Sequence, residues 1–147
     1  MEAADGPRVR IERVLPAPIQ DVFDAWTDPA RMAEWMSPVG HAEAEVDLRL
    51  MGRFTVSMIG ETTRIEHTGE YLVVNRPHEL SFTWQSIYTG SEPSVVTVLF
   101  ESEGEETRIM LTHRRLPEGQ VDPHAQGWEA MITRLAVVLD RMRTNAS

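Results

Sequence analysis

One run of residues decides most of what this chain can fold into. From Asp122 to Met142 the large apolar residues fall at Trp128, Met131, Ile132, Leu135, Val138, Leu139 and Met142. Spacings of three and four make these a single broad stripe on an α-helix. Asp122 is placed to cap the helix start and Pro123 to take the first position, where a missing N–H is no loss. Arg141 and Arg143 suit the negative pole of the helix dipole. At roughly 1.5 Å per residue such a helix spans about 30 Å, the width of a small domain. A stripe of that length needs a broad surface to cover it, and the rest of the chain offers mainly strands.

Residues 1–7 read as a disordered leader and 8–143 as one folded unit. Arg8 to Leu15, with Val9, Ile11 and Val14, is a first strand stopped by Pro16 and Pro18. The period then changes: Ile19, Val22, Phe23 and Trp26 form a helical stripe, and Asp28-Pro29 starts a second short helix that runs to about Trp35. After Gly40 the chain alternates like strands almost to Leu116. Phe54, Val56 and Met58 share a face, as do Ile65, His67, Tyr71 and Val73, then Leu80, Phe82 and Trp84, and finally Ile109, Leu111 and His113. Ala42, Ala44 and Val46 alternate with acidic residues, which reads as an exposed or edge strand. Short turns force antiparallel neighbours. The order predicts an α+β fold in which a curved antiparallel sheet of seven strands wraps around the long C-terminal helix, with two short helices between strands 1 and 2.

Charge narrows the partners. The formal net charge is -9, all 14 basic residues are arginine, and no basic block occurs, so nucleic acid and anionic membranes are not expected as partners. Without cysteine there is no disulfide, thiolate nucleophile or cysteine metal site. No apolar run approaches the roughly 20 residues that cross a bilayer, and the reading is a cytoplasmic protein. The exposed strand near Val46 and the Ile87-Tyr88 loop are candidate surfaces for a homodimer.

Several local signatures carry a family resemblance. They are Ala17-Pro18, Val22-Phe23-Asp24-Ala25-Trp26-Thr27-Asp28-Pro29, Trp35, Gly52-Arg53-Phe54 and Gly69-Glu70-Tyr71. They continue with Arg76-Pro77-His78-Glu79-Leu80-Ser81-Phe82-Thr83-Trp84 and His124-Ala125-Gln126-Gly127-Trp128. With the element order, these resemble the helix-grip fold of the SRPBCC superfamily, also called START-like or Bet v 1-like, in the branch related to the activator of heat shock protein 90 ATPase. The resemblance runs from Val9 to Leu139 and implies a single START-like domain with a cavity between helix and sheet. The inward candidates to line it are Trp26, Trp35, Met36, Phe54, Met58, Tyr71, Phe82, Trp84, Trp128, Met131 and Leu135. His67, Tyr71, His113 and Gln85 are the candidate polar groups. Aromatic and methionine side chains on an inner face also serve as plain packed core.

The remaining chemistry is mostly excluded by spacing. No pair among His41, His67, His78, His113 and His124 has the i, i+4 spacing of a zinc protease helix, and no metal or cofactor is expected. No nucleophile elbow, phosphate loop or dinucleotide fingerprint is present, and the clustered glutamates fall on solvent faces. In His-x-x-Gly-Trp, His124 reads as a packing or capping residue, Gly127 as allowing close approach of helix to sheet, and Trp128 as the anchor. His67 and His113 each read either as a satisfied core histidine or as a ligand-orienting or proton-transfer group. The expected function is a binding protein that encloses a small apolar or aromatic molecule. One alternative is a cyclase- or hydrolase-type enzyme using His67, Tyr71 and His113. A further alternative is a chaperone ATPase-modulating domain.

Overall fold

The computed structural model describes residues 7–146, so the leader expected at 1–7 lies, apart from Pro7, outside the described residues. The elements run β1 (Val9–Leu15), α1 (Ile19–Thr27), α2 (Pro29–Trp35), β2 (His41–Val46), β3 (Arg53–Ile59), β4 (Arg64–Asn75), β5 (Glu79–Trp84), β6 (Ser94–Glu103), β7 (Glu106–Arg114) and α3 (Val121–Ala146). The strands form one antiparallel sheet in the order β1-β7-β6-β5-β4-β3-β2. Its concave side curls around α3, which is the helix-grip arrangement that the pattern of strands and one long stripe predicts.

The stripe on α3 does what its spacing demands. Trp128, Ile132, Leu135 and Leu139 are at most 1 % exposed, and each large side chain so buried is worth about 1.5–3 kcal/mol. Against that, helix propensity differences of a few tenths per residue are minor. Facing them on the sheet are Ile11, Leu15, Val96, Val98, Phe100, Ile109 and Leu111. Arg13 on β1 ties the outer side of the helix down, through Glu129 at 3.1 Å and the Thr133 hydroxyl at 3.2 Å.

Three local expectations are corrected. The Gln120 carbonyl accepts from the His124 N–H at 3.1 Å, so the first turn of α3 closes on Gln120 and not on Asp122. Asp122 and Pro123 lie inside that turn, where amides have no intrahelical acceptor and proline still costs nothing. In β4, Tyr71 pairs with Phe82 but Val73 pairs with Ser81. This bulge turns Val74, not Val73, toward the core. Gly127 makes no close approach at all, because a Cβ built there meets nothing within 4 Å.

Gly69 is the glycine that close packing does require. It pairs with Phe54 across β3 and β4, and a Cβ there would sit 2.1 Å from the Thr83 carbonyl oxygen and 2.3 Å from the Phe54 ring. The bare backbone lets Phe54 fold flat over β4 and join Tyr71 and Phe82, each with ring centroids 5.2 Å away.

Candidate functional site

The concave space divides into a filled half and an open half. In the filled half, Trp26, Met32, Met36, Phe54, Tyr71, Phe82 and Trp84 close on a void of only about 10 Å³, at the lower limit for one water. Trp35 packs edge-on to Trp26 at 4.6 Å and donates its indole N–H to the Ala25 carbonyl at 2.9 Å. Leu135 lies fully buried further along the helix. Burial also raises the Tyr71 hydroxyl pKa, since the phenolate would have to form in an apolar setting.

The open half is a cleft of about 350 Å³ under the first turns of α3, the low end of the range for small-molecule sites. Met58 of β3, Ile65 and His67 of β4 and Trp84 of β5 form its floor. Gln120, Pro123, His124, Gly127, Trp128 and Met131 form its roof, and Pro38 and Tyr88 stand at its sides. Thus Met58, His67, Trp84, Trp128 and Met131 line this cleft, while Trp26, Trp35, Met36, Phe54, Tyr71, Phe82 and Leu135 do not. The Pro38 side is held by Arg134, whose guanidinium donates to the Ser37 carbonyl and, at 2.8 Å, to that of Gly40. Gln85 faces elsewhere, donating to the Gly90 and Ser91 carbonyls at 3.3 Å.

Three histidines meet here with different roles. His113 is fully buried and uses both nitrogens. Trp128 Nε1–H donates to its Nδ1 at 3.0 Å, so the proton sits on Nε2 and is given to Ser94 Oγ at 2.7 Å. Ser94 passes its own proton to the Trp84 carbonyl at 2.6 Å. His124 gives its Nδ1–H to the Gln120 carbonyl at 2.8 Å, which leaves Nε2 as an acceptor. His67 is 5 % exposed and lies against Trp84, ring centroids 4.6 Å apart and 31° from parallel. Its Nδ1 is buried with no protein partner among the described residues; the other such atom is Trp26 Nε1.

Burial keeps these rings neutral. It pulls the His113 pKa down to about 3, with charge on His124 and His67 opposing protonation further. His67 falls to about 4, chiefly through burial and further through charge on His124, opposed in part by the backbone of Val56 and Ile65. His124 is lowered too, by burial, with the Gln120 carbonyl working against it. Among the described residues no group of three His, Cys, Asp or Glu side chains is placed to hold a metal ion. No helix among them is long and apolar enough to cross a membrane.

The sequence reading passed over His124, Gln120 and Gly127 as cleft residues. Their signal was present: positions 120, 124, 127 and 131 continue the helical period on the flank of the Trp128 stripe. Pro38 and Tyr88 sit in loops, where no periodicity could mark them.

This arrangement of sheet and helices has known counterparts. The profile of the family described as Activator of Hsp90 ATPase homolog 1-like protein matches residues 16–140. The chain belongs to that family. Among solved structures, an AHSA1-like protein from Aeromonas hydrophila superposes with a TM-score of 0.81 at 24% identity, covering 92% of this chain and 94% of its own. An HSP90 activator from Plasmodium falciparum gives 0.76 at 26%, covering 92% and 97%. CalU16 from Micromonospora echinospora gives 0.71 at 26%, covering 92% of this chain and 79% of its own. No curated protein matches the chain. The AHSA1-like fold places it in the SRPBCC superfamily, whose members typically carry a ligand cavity between sheet and C-terminal helix.

Proposed function

We propose that this AHSA1-like protein binds a small apolar or aromatic molecule in the cleft beneath the first turns of α3. The observation that carries the reading is the contrast within one inner face. Seven side chains close one half down to about 10 Å³, while Met58, Trp84, Trp128 and Met131 leave about 350 Å³ open in the other. Interiors pack densely by default, so a space of that size beside a well-filled core supports a site for a ligand. The volume corresponds to about a dozen waters at roughly 30 Å³ each. It suits a molecule of one or two rings.

The enzyme alternative has less support. His113 spends both nitrogens inside the core, and Tyr71 lines only the filled half. A chaperone-modulating role rests on the family description and on the likeness to the Plasmodium protein. Native mass spectrometry of gently purified protein, compared with the denatured mass, tests the binding reading. Stoichiometric release of a small aromatic or apolar molecule supports it. An apo protein that takes up none of a panel of one- and two-ring aromatics, yet stimulates a heat shock protein 90 ATPase, would replace it with the interaction role.

A further inference from the structure

The sides of the cleft are held in place by very different means. Its floor is sheet and its roof is helix, both with regular backbone hydrogen bonds. On the Tyr88 side the chain is bonded to β4 and to itself. Thr68 and Gln85 exchange both backbone bonds at 2.9 Å, the Ser86 amide donates to Thr89 Oγ1 at 3.0 Å, and the Tyr88 amide donates to Ser86 Oγ at 3.1 Å. The Pro38 side has no such support. Among the described residues, positions 37–40 make no backbone–backbone hydrogen bond at all. The Ser37 hydroxyl donates to the Val39 carbonyl within the segment. Every hydrogen bond that reaches the segment from elsewhere comes from one side chain: Arg134 of α3 gives one guanidinium nitrogen to the Ser37 carbonyl and the other, at 2.8 Å, to that of Gly40. Those two carbonyls bracket Pro38, which faces the cleft, and Val39, which is 63 % exposed. The wall is therefore one chain thick, and its ends are fixed by Met36 in the core and by His41 at the start of β2.

We propose that residues 37–40 form the movable wall of the cleft, past which a ligand enters and leaves, and that Arg134 is the positioning residue that holds this wall shut. This rests on the cleft being a ligand site. Segments with few hydrogen bonds open locally at lower free energy than the helices and strands around them. A guanidinium suits the task because its planar fork reaches two carbonyls at once, and hydrogen bonds from a charged donor are stronger than neutral ones. Arg134 is half-buried, and no carboxylate among the described residues pairs with it. When the wall swings out, water takes up the released charge, so the hold is firm but reversible. Arg134 does not itself line the cleft, and it acts on the wall whether the cleft is filled or empty. Its loss therefore raises the open fraction of both forms alike, which speeds entry and exit by the same factor and leaves affinity nearly unchanged.

Stopped-flow fluorescence with 2-naphthol, an uncharged two-ring probe, tests this through the emission of Trp84 and Trp128 in the cleft. Arg134→Met keeps the apolar stem and removes the fork. It is expected to raise the association and dissociation rate constants together by at least about tenfold, the effect of losing one charged hydrogen bond, while Kd moves by less than about threefold. Arg134→Lys keeps the charge but not the fork, and should raise both constants by a smaller factor. A substitution that merely weakened the fold would lower the bound fraction without speeding entry into the folded protein. Unchanged rate constants in whichever variant folds would show that this wall is not on the ligand's path. Faster dissociation alone, with affinity lost in proportion, would overturn the proposal by making Arg134 a determinant of the bound site and not of its entrance. Failure of the wild-type protein to bind 2-naphthol or any other one- or two-ring aromatic would remove the ligand site itself, and the movable wall with it.

Discussion

Trp128 donates its indole N–H to Nδ1 of His113 at 3.0 Å, inside the core, and through that bond fixes the tautomer of a buried histidine. The helix anchor and the last strand are thereby joined by a polar contact as well as by packing. Trp128→Phe keeps an aromatic ring in place but leaves Nδ1 without a donor, and His113→Phe leaves the indole N–H without an acceptor. Each orphaned group is expected to lower stability by about 1–3 kcal/mol, with the cavity left by the smaller ring adding to the Trp128 case. Urea unfolding followed by tryptophan fluorescence checks both. A His113→Phe protein as stable as wild type would mean that the bond contributes nothing net.

The same histidines make folding stability depend on pH. His67 and His113 titrate near 6.5 when unfolded and near 4 and 3 when folded. Between those values the unfolded chain holds more protons, so stability is full above about pH 6.5 and is lost as pH falls. Each histidine contributes a slope of about 1.4 kcal/mol per pH unit in that window, or roughly 2 kcal/mol between pH 6.5 and 5. The decline from pH 7 to 5 should therefore be smaller in His113→Phe by one such share, since the carboxylates are common to both proteins. Identical pH profiles for the two would show that His113 is not held neutral by the fold.

Gly69→Ala tests the tight crossing of Phe54 over β4. The added methyl group would meet the Thr83 carbonyl oxygen at 2.1 Å and the Phe54 ring at 2.3 Å. The ring can swing away, but the carbonyl belongs to the neighbouring strand. Overpacking of this kind costs about 1–3 kcal/mol, and Phe54→Leu in the same chain should recover only part of it. Thermal unfolding of the single and double variants measures this. Full recovery in the double variant would show that the ring, not the strand, sets the limit.

What could be read from the residues follows from what repeats along them. The α3 stripe and the alternation of Leu80, Phe82 and Trp84 have periods tied directly to burial, so the helix-grip order was legible before any coordinates. The bulge after Tyr71 was not, because one extra residue shifts the inward face from Val73 to Val74 without changing composition. Nor could periodicity separate filled core from open cleft. Phe82 and Met58 both point inward from strands, and which of them borders 10 Å³ and which 350 Å³ depends on how α2 and the start of α3 sit over the sheet. His67 and His113 looked alike on alternating apolar faces. Only the partners, Trp128 and Ser94 for one and none for the Nδ1 of the other, tell them apart.

Gly127 offers a way to close the cleft without disturbing the core. It sits mid-helix, where glycine costs about 0.5–1 kcal/mol relative to alanine, and a Cβ there meets nothing within 4 Å. Gly127→Ala should therefore stabilise the protein by about that amount, since the methyl group enters open space while the unfolded chain loses freedom. Gly127→Leu gains most of the same backbone term and adds a bulky side chain at a position that lines the cleft. Its melting temperature should match or exceed that of wild type while uptake of 2-naphthol is lost. Fold and occupancy are thus expected to move in opposite directions, which a merely destabilising substitution cannot produce. A stable Gly127→Leu protein that still took up 2-naphthol at wild-type affinity would put the ligand elsewhere.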